Sequence, residues 1–142
     1  MTYQEWYDSH AVKHEAIVAK LLACEYSDAQ IIDYFVFENM VQKESDFCLL
    51  YATNTKCHDI EYLNCYFCAC PHFRFSDTGL ATHENTTQFS RCEINAKEGK
   101  LAAYGDALHQ DCSACHIPHT RQYIQKKFTY KWHDAMKRCR LS

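Results

Sequence analysis

The chain has 142 residues, of which 47% are hydrophobic and 14% aromatic, with only three glycines and two prolines. This composition predicts one domain with a hydrophobic core of its own, and it excludes a small finger that depends wholly on metal to fold. No apolar stretch approaches the roughly 18 residues that a membrane span requires. The net charge is -3, but from residue 120 onward seven basic residues stand against the single acid Asp134, so a cationic tail follows an acidic body.

The first fifty residues contain no glycine or proline and predict two helices. The apolar stripe of the first follows the three-to-four spacing of an amphipathic helix and is widened by Val12 and Ala16. Its members are Trp6, His10, Lys13, Ile17 and Leu21. A break is expected at residues 24–27.

The second predicted helix begins at Ser27, because Ser27 and Gln30 have the spacing of a capping box. Residues 31–41 are too apolar for an exposed helix. We therefore expect this helix to be continuous and central to the core.

Residues 46–119 predict short strands and turns. Residues 72–75 alternate as a short strand does, and a turn at residues 77–79 ends it. We expect a hairpin between residues 91–95 and 101–104, on either side of Gly99. The polar stretch between Gly79 and Ser90 predicts an exposed loop.

Residues 120–141 predict a third amphipathic helix with an apolar face and a basic one. The basic residues are Lys126, Lys127, Lys131, Lys137 and Arg138. A solvated cationic face is the favoured interpretation, and a contact surface for nucleic acid or an acidic partner is the alternative.

Seven of the ten cysteines lie between residues 57 and 115, interspersed with histidines. Two of the groups are Cys-x2-Cys pairs, and such a pair can turn both sulfurs toward one metal ion without straining the backbone. Two such pairs with further Cys and His residues around them strongly indicate a metal site. The candidate metal ligands are Cys57, His58, Cys65, Cys68, Cys70, Cys92, Cys112, Cys115 and His119.

A disulfide scaffold is the main rival interpretation of this cysteine density. The first eight residues have no basic start, apolar run or cleavage site of a signal peptide. We therefore expect a cytoplasmic protein, without a membrane association, whose thiols stay reduced and bind metal.

The segments 64–71, Asn-Cys-x2-Cys-x-Cys-Pro, and 111–119, Asp-Cys-x2-Cys-x2-Pro-His, have a Cys57-His58 element upstream. Together they resemble the cysteine-rich small domain family, also called zinc-finger-like. The resemblance covers about half of the chain and does not extend to the N-terminal helices. It implies a metal site but no reaction. The family often has glycine beside its central cysteine, whereas Cys92 here lies between Arg91 and Glu93.

Geometry suggests how the ligands divide. Because structural zinc takes four ligands and knuckles commonly supply two each, one site would combine both Cys-x2-Cys pairs. The first pair, Cys65 with Cys68, is called the first knuckle, and the second pair, Cys112 with Cys115, the second knuckle. A second site would combine the remaining three cysteines with His58 or His119.

Zinc suits this donor set, and an iron-sulfur cluster is the competing cofactor, since three cysteines within six residues precede a proline. No phosphate-binding glycine loop, nucleophile elbow or His-Glu-x2-His helix is present, so no catalytic residue is predicted. We expect a zinc-stabilised binding or accessory module, with an iron-sulfur redox or metal-handling protein as the alternative. A protein partner is compatible with either function.

The expected fold is α+β and mostly helical, in a single domain over residues 1–142. Residues 1–50 form the helical part, residues 51–119 the irregular metal-bound core with short strands, and residues 120–142 the basic C-terminal helix.

Overall fold

The computed structural model describes residues 1–136. Helix α1 spans Tyr3–Ala23, which confirms the first predicted helix. A capping box that the sequence reading missed begins it: the Thr2 hydroxyl accepts from the Glu5 backbone N–H, and the Glu5 carboxylate accepts from the Thr2 N–H. The helix ends where Glu25 adopts a left-handed φ of 61°.

The buried face of α1 is rotated from the predicted stripe. Val12 is 69% exposed and Trp6 is 36% exposed, whereas His14 is fully buried. His14 turns inward because its Nε2–H donates to the Tyr66 carbonyl oxygen at 3.1 Å. The face packed on the core consists of Tyr7, His10, His14, Ile17, Val18 and Leu21.

The second predicted helix begins as expected at the Ser27 and Gln30 capping box, but it is not continuous. Helix α2 spans Asp28–Tyr34 and helix α3 spans Phe37–Lys43. Between them the backbone pairs with a distant segment: Cys65 N–H donates to Phe35 O at 2.8 Å, and Phe37 N–H donates to Leu63 O at 2.9 Å. These tertiary bonds replace the helical ones, and they bring the first knuckle against the core.

A two-stranded sheet pairs β1 (Phe73–Phe75) with β4 (Ser90–Cys92) antiparallel, so that Phe73 lies opposite Cys92. The other sheet has the order β2-β3-β6-β5. Its members are β2 (Ala81–His83), β3 (Thr86–Gln88), β5 (Lys100–Tyr104) and β6 (Ala107–Asp111). Strands β3 and β6 are parallel, and the other pairs in this sheet are antiparallel.

These pairings confirm the strand before the turn at residues 77–79, but two predictions were wrong. Strand β5 pairs with β6 around Gly105, which has a φ of 64°, and not with residues 91–95. The predicted loop between Gly79 and Ser90 contains the β2–β3 hairpin. Its residues do not alternate between apolar and polar as those of a half-buried strand do, because both faces of this hairpin remain partly exposed.

Two 3-10 helices, Leu49–Thr53 and Ile117–His119, flank the cysteine-rich region. Beyond them α4 spans Arg121–Lys127 and α5 spans Trp132–Met136. The single C-terminal helix predicted over residues 120–141 is thus interrupted, and its last residues lie outside the described part. The Tyr66 hydroxyl donates to the Thr129 carbonyl oxygen at 2.5 Å, which holds the bend between α4 and α5.

The fold of residues 1–136 is α+β, with five α-helices and two small sheets. An aromatic core joins the helices to the first knuckle: Phe35 and Tyr66 rings lie 4.8 Å apart in an edge-on arrangement, and both are fully buried. Within these residues no helix combines the length and apolar character that crossing a membrane requires. The cysteine-rich region therefore shares one hydrophobic core with the helices, to which it contributes Leu63, Tyr66 and Phe67.

Candidate metal centre

Cys57, His58 and His119 converge on one point. One ligand atom from each lies within 4.8 Å of the other two, and within residues 1–136 no other set of three or more Cys, His, Asp or Glu side chains meets this spacing. Cys57 is exposed, His58 is partly buried and His119 is 5% exposed. The sequence placed 60 residues between the two histidines, so the fold alone brings them together.

His119 is oriented by its backbone neighbours. It ends the 3-10 helix Ile117–His119, and its N–H donates to His116 O at 3.0 Å. Its imidazole Nδ1 donates to the Asn64 carbonyl oxygen at 2.9 Å. Because a carbonyl oxygen only accepts, Nδ1 carries the proton and Nε2 keeps its lone pair for a ligand.

His58 has the opposite tautomer. Its Nε2 donates to the Cys112 carbonyl oxygen at 2.9 Å, and its Nδ1 lies 3.0 Å from the Cys57 sulfur. The unprotonated Nδ1 therefore accepts from the Cys57 thiol. Each histidine thus uses one nitrogen on a backbone carbonyl, the arrangement that orients imidazoles bound to metal.

The protonation states suit metal binding. Burial lowers the pKa of His58 and lowers that of His119 to about 4, so both rings are neutral at neutral pH. Although the Cys57 residue is exposed overall, partial burial of its sulfur raises the pKa of the thiol. A metal ion bound here would therefore displace a proton from sulfur and none from the imidazoles.

A cavity of about 820 Å³ lies beside these three residues. Both ligand histidines and six of the seven clustered cysteines line it, and Cys65 does not. Its apolar wall includes Trp6, Phe73, Phe89, Ile94, Ile117 and Pro118. The cavity therefore gathers eight of the nine candidate ligands predicted from the sequence.

Both Cys-x2-Cys pairs form tight turns. Cys68 N–H donates to Cys65 O at 3.3 Å, and Cys115 N–H donates to Cys112 O at 3.0 Å. No disulfide bond joins any two of the nine cysteines among residues 1–136.

The thiols of both knuckles are held in their protonated form by burial. Burial raises the pKa of Cys68 well above its usual value and raises that of Cys112 to about 11. The combination of both knuckles in one site stays a prediction from their spacing.

Cys65 is placed as a core residue. It is 8% exposed, and burial raises its pKa to about 12, although the neighbouring Tyr51 hydroxyl opposes that rise. The sequence grouped it with the ligands because knuckle spacing cannot distinguish a sulfur that faces a cavity from one that faces the core.

Asn64 is a functional residue that sequence reasoning overlooked. It is fully buried, its side-chain NH2 donates to Ile32 O at 2.9 Å, and its side-chain oxygen accepts from Tyr66 N–H at 2.9 Å. These bonds fix the backbone carbonyl that orients His119. Its position immediately before the first knuckle was the available signal.

Comparisons with protein-family models, with curated proteins and with solved structures give no match for this chain. The resemblance to the cysteine-rich small domain family therefore stays a prediction from the motifs.

Proposed function

We propose that this protein binds zinc through Cys57, His58 and His119, with Cys68 as the fourth ligand. The observation that carries the proposal is the convergence of the first three ligand atoms within 4.8 Å. Cys68 lines the same cavity as these three residues, whereas Cys65 does not. Two thiolates and two imidazoles match the donors and number that structural zinc prefers.

Zinc is favoured over harder cations because no carboxylate belongs to this group of ligands. The two carbonyl-bonded imidazoles add support, since such bonds fix the tautomer and the ring orientation before the ion arrives. Iron can use these ligands too, so elemental analysis is part of the test.

The proposed role is a zinc-stabilised binding or accessory module. The ligands come from an irregular segment at residues 57–58, from the first knuckle and from the 3-10 helix Ile117–His119. A shared ion would join these pieces beside the 820 Å³ cavity, while the aromatic core stabilises the rest of the fold. Removing the ion should therefore disorder the cavity wall without unfolding the helices.

The test begins with protein purified anaerobically and analysed for zinc and iron. The metal is then removed with a chelator and replaced by cobalt(II), whose visible spectrum reports tetrahedral coordination and thiolate ligands. We expect His58→Ala, His119→Ala and Cys68→Ser each to weaken cobalt binding at this site at least tenfold.

The matched control is His83→Ala, because His83 is an exposed histidine on β2 outside the cavity. It should bind cobalt like the unaltered protein. Equal binding by His58→Ala, His119→Ala and the control would overturn the proposal.

A further inference from the structure

Three strand ends bring four other cysteines together. Cys70 lies three residues before β1, Cys92 ends β4, and Cys112 follows β6 directly. Strands β1 and β4 are paired, and the Cys92 N–H donates to the Gln110 side-chain oxygen at 3.1 Å, which joins β4 to β6. Cys115 follows Cys112 in the second knuckle. All four residues line the 820 Å³ cavity.

The segments that carry Cys70 and Cys92 are fastened to each other. Glu93 N–H donates to His72 O at 2.8 Å. The Arg74 guanidinium donates to Pro71 O at 2.7 Å and forms an ion pair with the Glu93 carboxylate. Because Arg74 is only 6% exposed, this ion pair is shielded from solvent on the arginine side. The spacing between the two cysteines is therefore held by residues that bind no metal themselves.

Two of the four sulfurs already accept backbone hydrogen bonds. His72 N–H donates to the Cys70 sulfur and Ala96 N–H donates to the Cys92 sulfur, both at 3.4 Å. The turns depend on a left-handed φ of 65° at Cys70 and 47° at Asn95. Such backbone is costly for cysteine and is tolerated by asparagine. The same N–H groups would donate to these sulfurs if they were bound to a metal as thiolates.

The second knuckle is fixed in a similar way. Ser113 donates to the Asp111 carboxylate from its backbone N–H at 2.9 Å and from its hydroxyl at 2.6 Å. Strand β4 is paired with β1 and hydrogen-bonded to β6 through Gln110, so the segments that carry Cys70, Cys92 and Cys112 reach the same cavity. As thiolates in one cavity these sulfurs would repel one another, and a cation between them would relieve that repulsion.

We infer that Cys70, Cys92, Cys112 and Cys115 form a second, all-sulfur site for a thiophilic metal, distinct from the site of Cys57, His58, Cys68 and His119. It goes beyond the proposed function and does not depend on it.

Binding at this site draws the sulfurs inward. They do not meet the 4.8 Å spacing that Cys57, His58 and His119 meet among residues 1–136, whereas four sulfurs on one zinc ion stand roughly 3.8 Å apart. Rotation about the Cα–Cβ bonds moves each sulfur without moving the backbone. For a divalent ion, four S–H bonds break, four metal–sulfur bonds form and four protons pass to solvent, with no change of oxidation state.

The test uses a full-length variant in which both His58 and His119 are alanine. We expect it to bind one equivalent of cobalt(II) with the intense sulfur-to-metal charge-transfer absorption of four thiolates. Adding Cys92→Ser should lower that affinity at least tenfold and reduce the absorption per cobalt. Adding Cys24→Ser is the matched control, since Cys24 is an exposed thiol outside the cavity, and it should change neither.

The outcomes separate the two sites. Loss of this cobalt signal through the two histidine changes alone, with no further effect of Cys92→Ser, would overturn the second site and leave the zinc proposal standing. Cobalt bound by the histidine variant but not by its Cys92→Ser derivative supports the second site, whatever happens at the first. Circular dichroism and urea unfolding of each variant establish that it is folded.

Glu93→Gln keeps every proposed ligand and tests the fastening of Cys70 to Cys92. We expect weaker cobalt binding with an unchanged four-thiolate spectrum, whereas a merely structural role would leave the cobalt affinity unaltered. Anaerobic reconstitution with iron and sulfide distinguishes the occupant: a brown, Cys92-dependent chromophore also supports the all-sulfur site and identifies it as a cluster site. Failure of both cobalt and iron to bind through Cys92 would overturn the inference.

Discussion

Asn64 and His119 exchange two hydrogen bonds. The Asn64 backbone N–H donates to His119 O at 3.0 Å, and the His119 Nδ1–H donates to Asn64 O at 2.9 Å. This reciprocal contact joins the residue before the first knuckle to a proposed ligand 55 positions later. It connects the buried core directly to the candidate metal centre.

Replacing Asn64 with alanine should therefore affect both stability and metal binding. The change leaves the Tyr66 N–H and the Ile32 carbonyl without their side-chain partner, which costs about 2–4 kcal/mol of unfolding free energy. Zinc affinity should fall by about tenfold or more, because the carbonyl that orients His119 loses its anchor. Urea unfolding with chelator present measures the first effect, and competition with a zinc indicator measures the second.

Asn39→Ala is the control for Asn64, since Asn39 makes one exposed bond to Asp33 O at 2.8 Å. Its loss should cost less than about 1 kcal/mol. Equal losses in the two variants would contradict the role given to Asn64.

Zinc binding at the Cys57 site should release protons from sulfur. The pKa of Cys57 and that of Cys68 are raised, chiefly by burial, so both thiols are protonated at neutral pH, whereas the histidines are already neutral. About two protons per zinc should leave, and affinity should rise steeply between about pH 7 and pH 8.

Calorimetry in buffers of different ionisation enthalpy counts these protons. The Cys92→Ser variant is the protein to use, because it isolates the site from the all-sulfur one. A flat dependence of affinity on pH would be incompatible with thiolate ligation.

Acid should destabilise the core through His10 and His14. Burial lowers the pKa of each from its usual 6.5 to about 3, and neighbouring positive charge adds to the effect. The unfolded chain then binds more protons, so this stability is fully present above about pH 6.5 and is lost as pH falls toward about 3. The loss reaches roughly 5 kcal/mol for each ring at most.

His10→Phe removes one of these titrations and keeps the ring that packs 4.4 Å from Phe47. Unfolding free energies of apo protein between about pH 4 and pH 7 should fall less steeply in this variant. His83→Phe, which alters an exposed histidine, should keep the full dependence. Parallel pH curves for all three proteins would refute the assignment.

Trp132 should stabilise the bend that follows α4. Its ring is 1% exposed and packs 5.0 Å from that of Tyr7, and its Nε1–H donates to Cys68 O at 3.0 Å. Trp132→Phe should cost about 1–2 kcal/mol, and Trp132→Ala about 3–5 kcal/mol. Thermal unfolding checks both, with the partly exposed Trp6→Phe as the control, for which we expect a smaller loss.

The start of α2 was predictable from local sequence, because Ser27 and Gln30 bond within one turn. The end of α2 was not predictable in this way, because Phe35 and Phe37 bond to Cys65 and Leu63, which lie 30 and 26 positions away. The strand pairing was not predicted for the same reason. Strand β3 pairs in parallel with β6, and no local turn motif indicates such a pairing.

For the candidate site, too, local features were predictable and long-range contacts were not. The spacing of cysteines and histidines predicted nine candidate ligands, and eight of them line one cavity. This much was predictable because ligand chemistry and short turns depend on residues that are close in sequence. Which sulfurs are neighbours was decided by strand pairing and by core packing. Phe73 opposite Cys92 brings Cys92 toward Cys70, and Cys65 faces the core and does not line the cavity.

Residue identity and contacts within one turn are enough to predict the donor atoms, the capping box at Ser27 and the presence of an apolar core. The meeting of Cys57 and His58 with His119, and the tautomer of each ring, follow from the tertiary structure. Those depend on backbone carbonyls contributed by distant segments, and their positions follow from packing the whole chain.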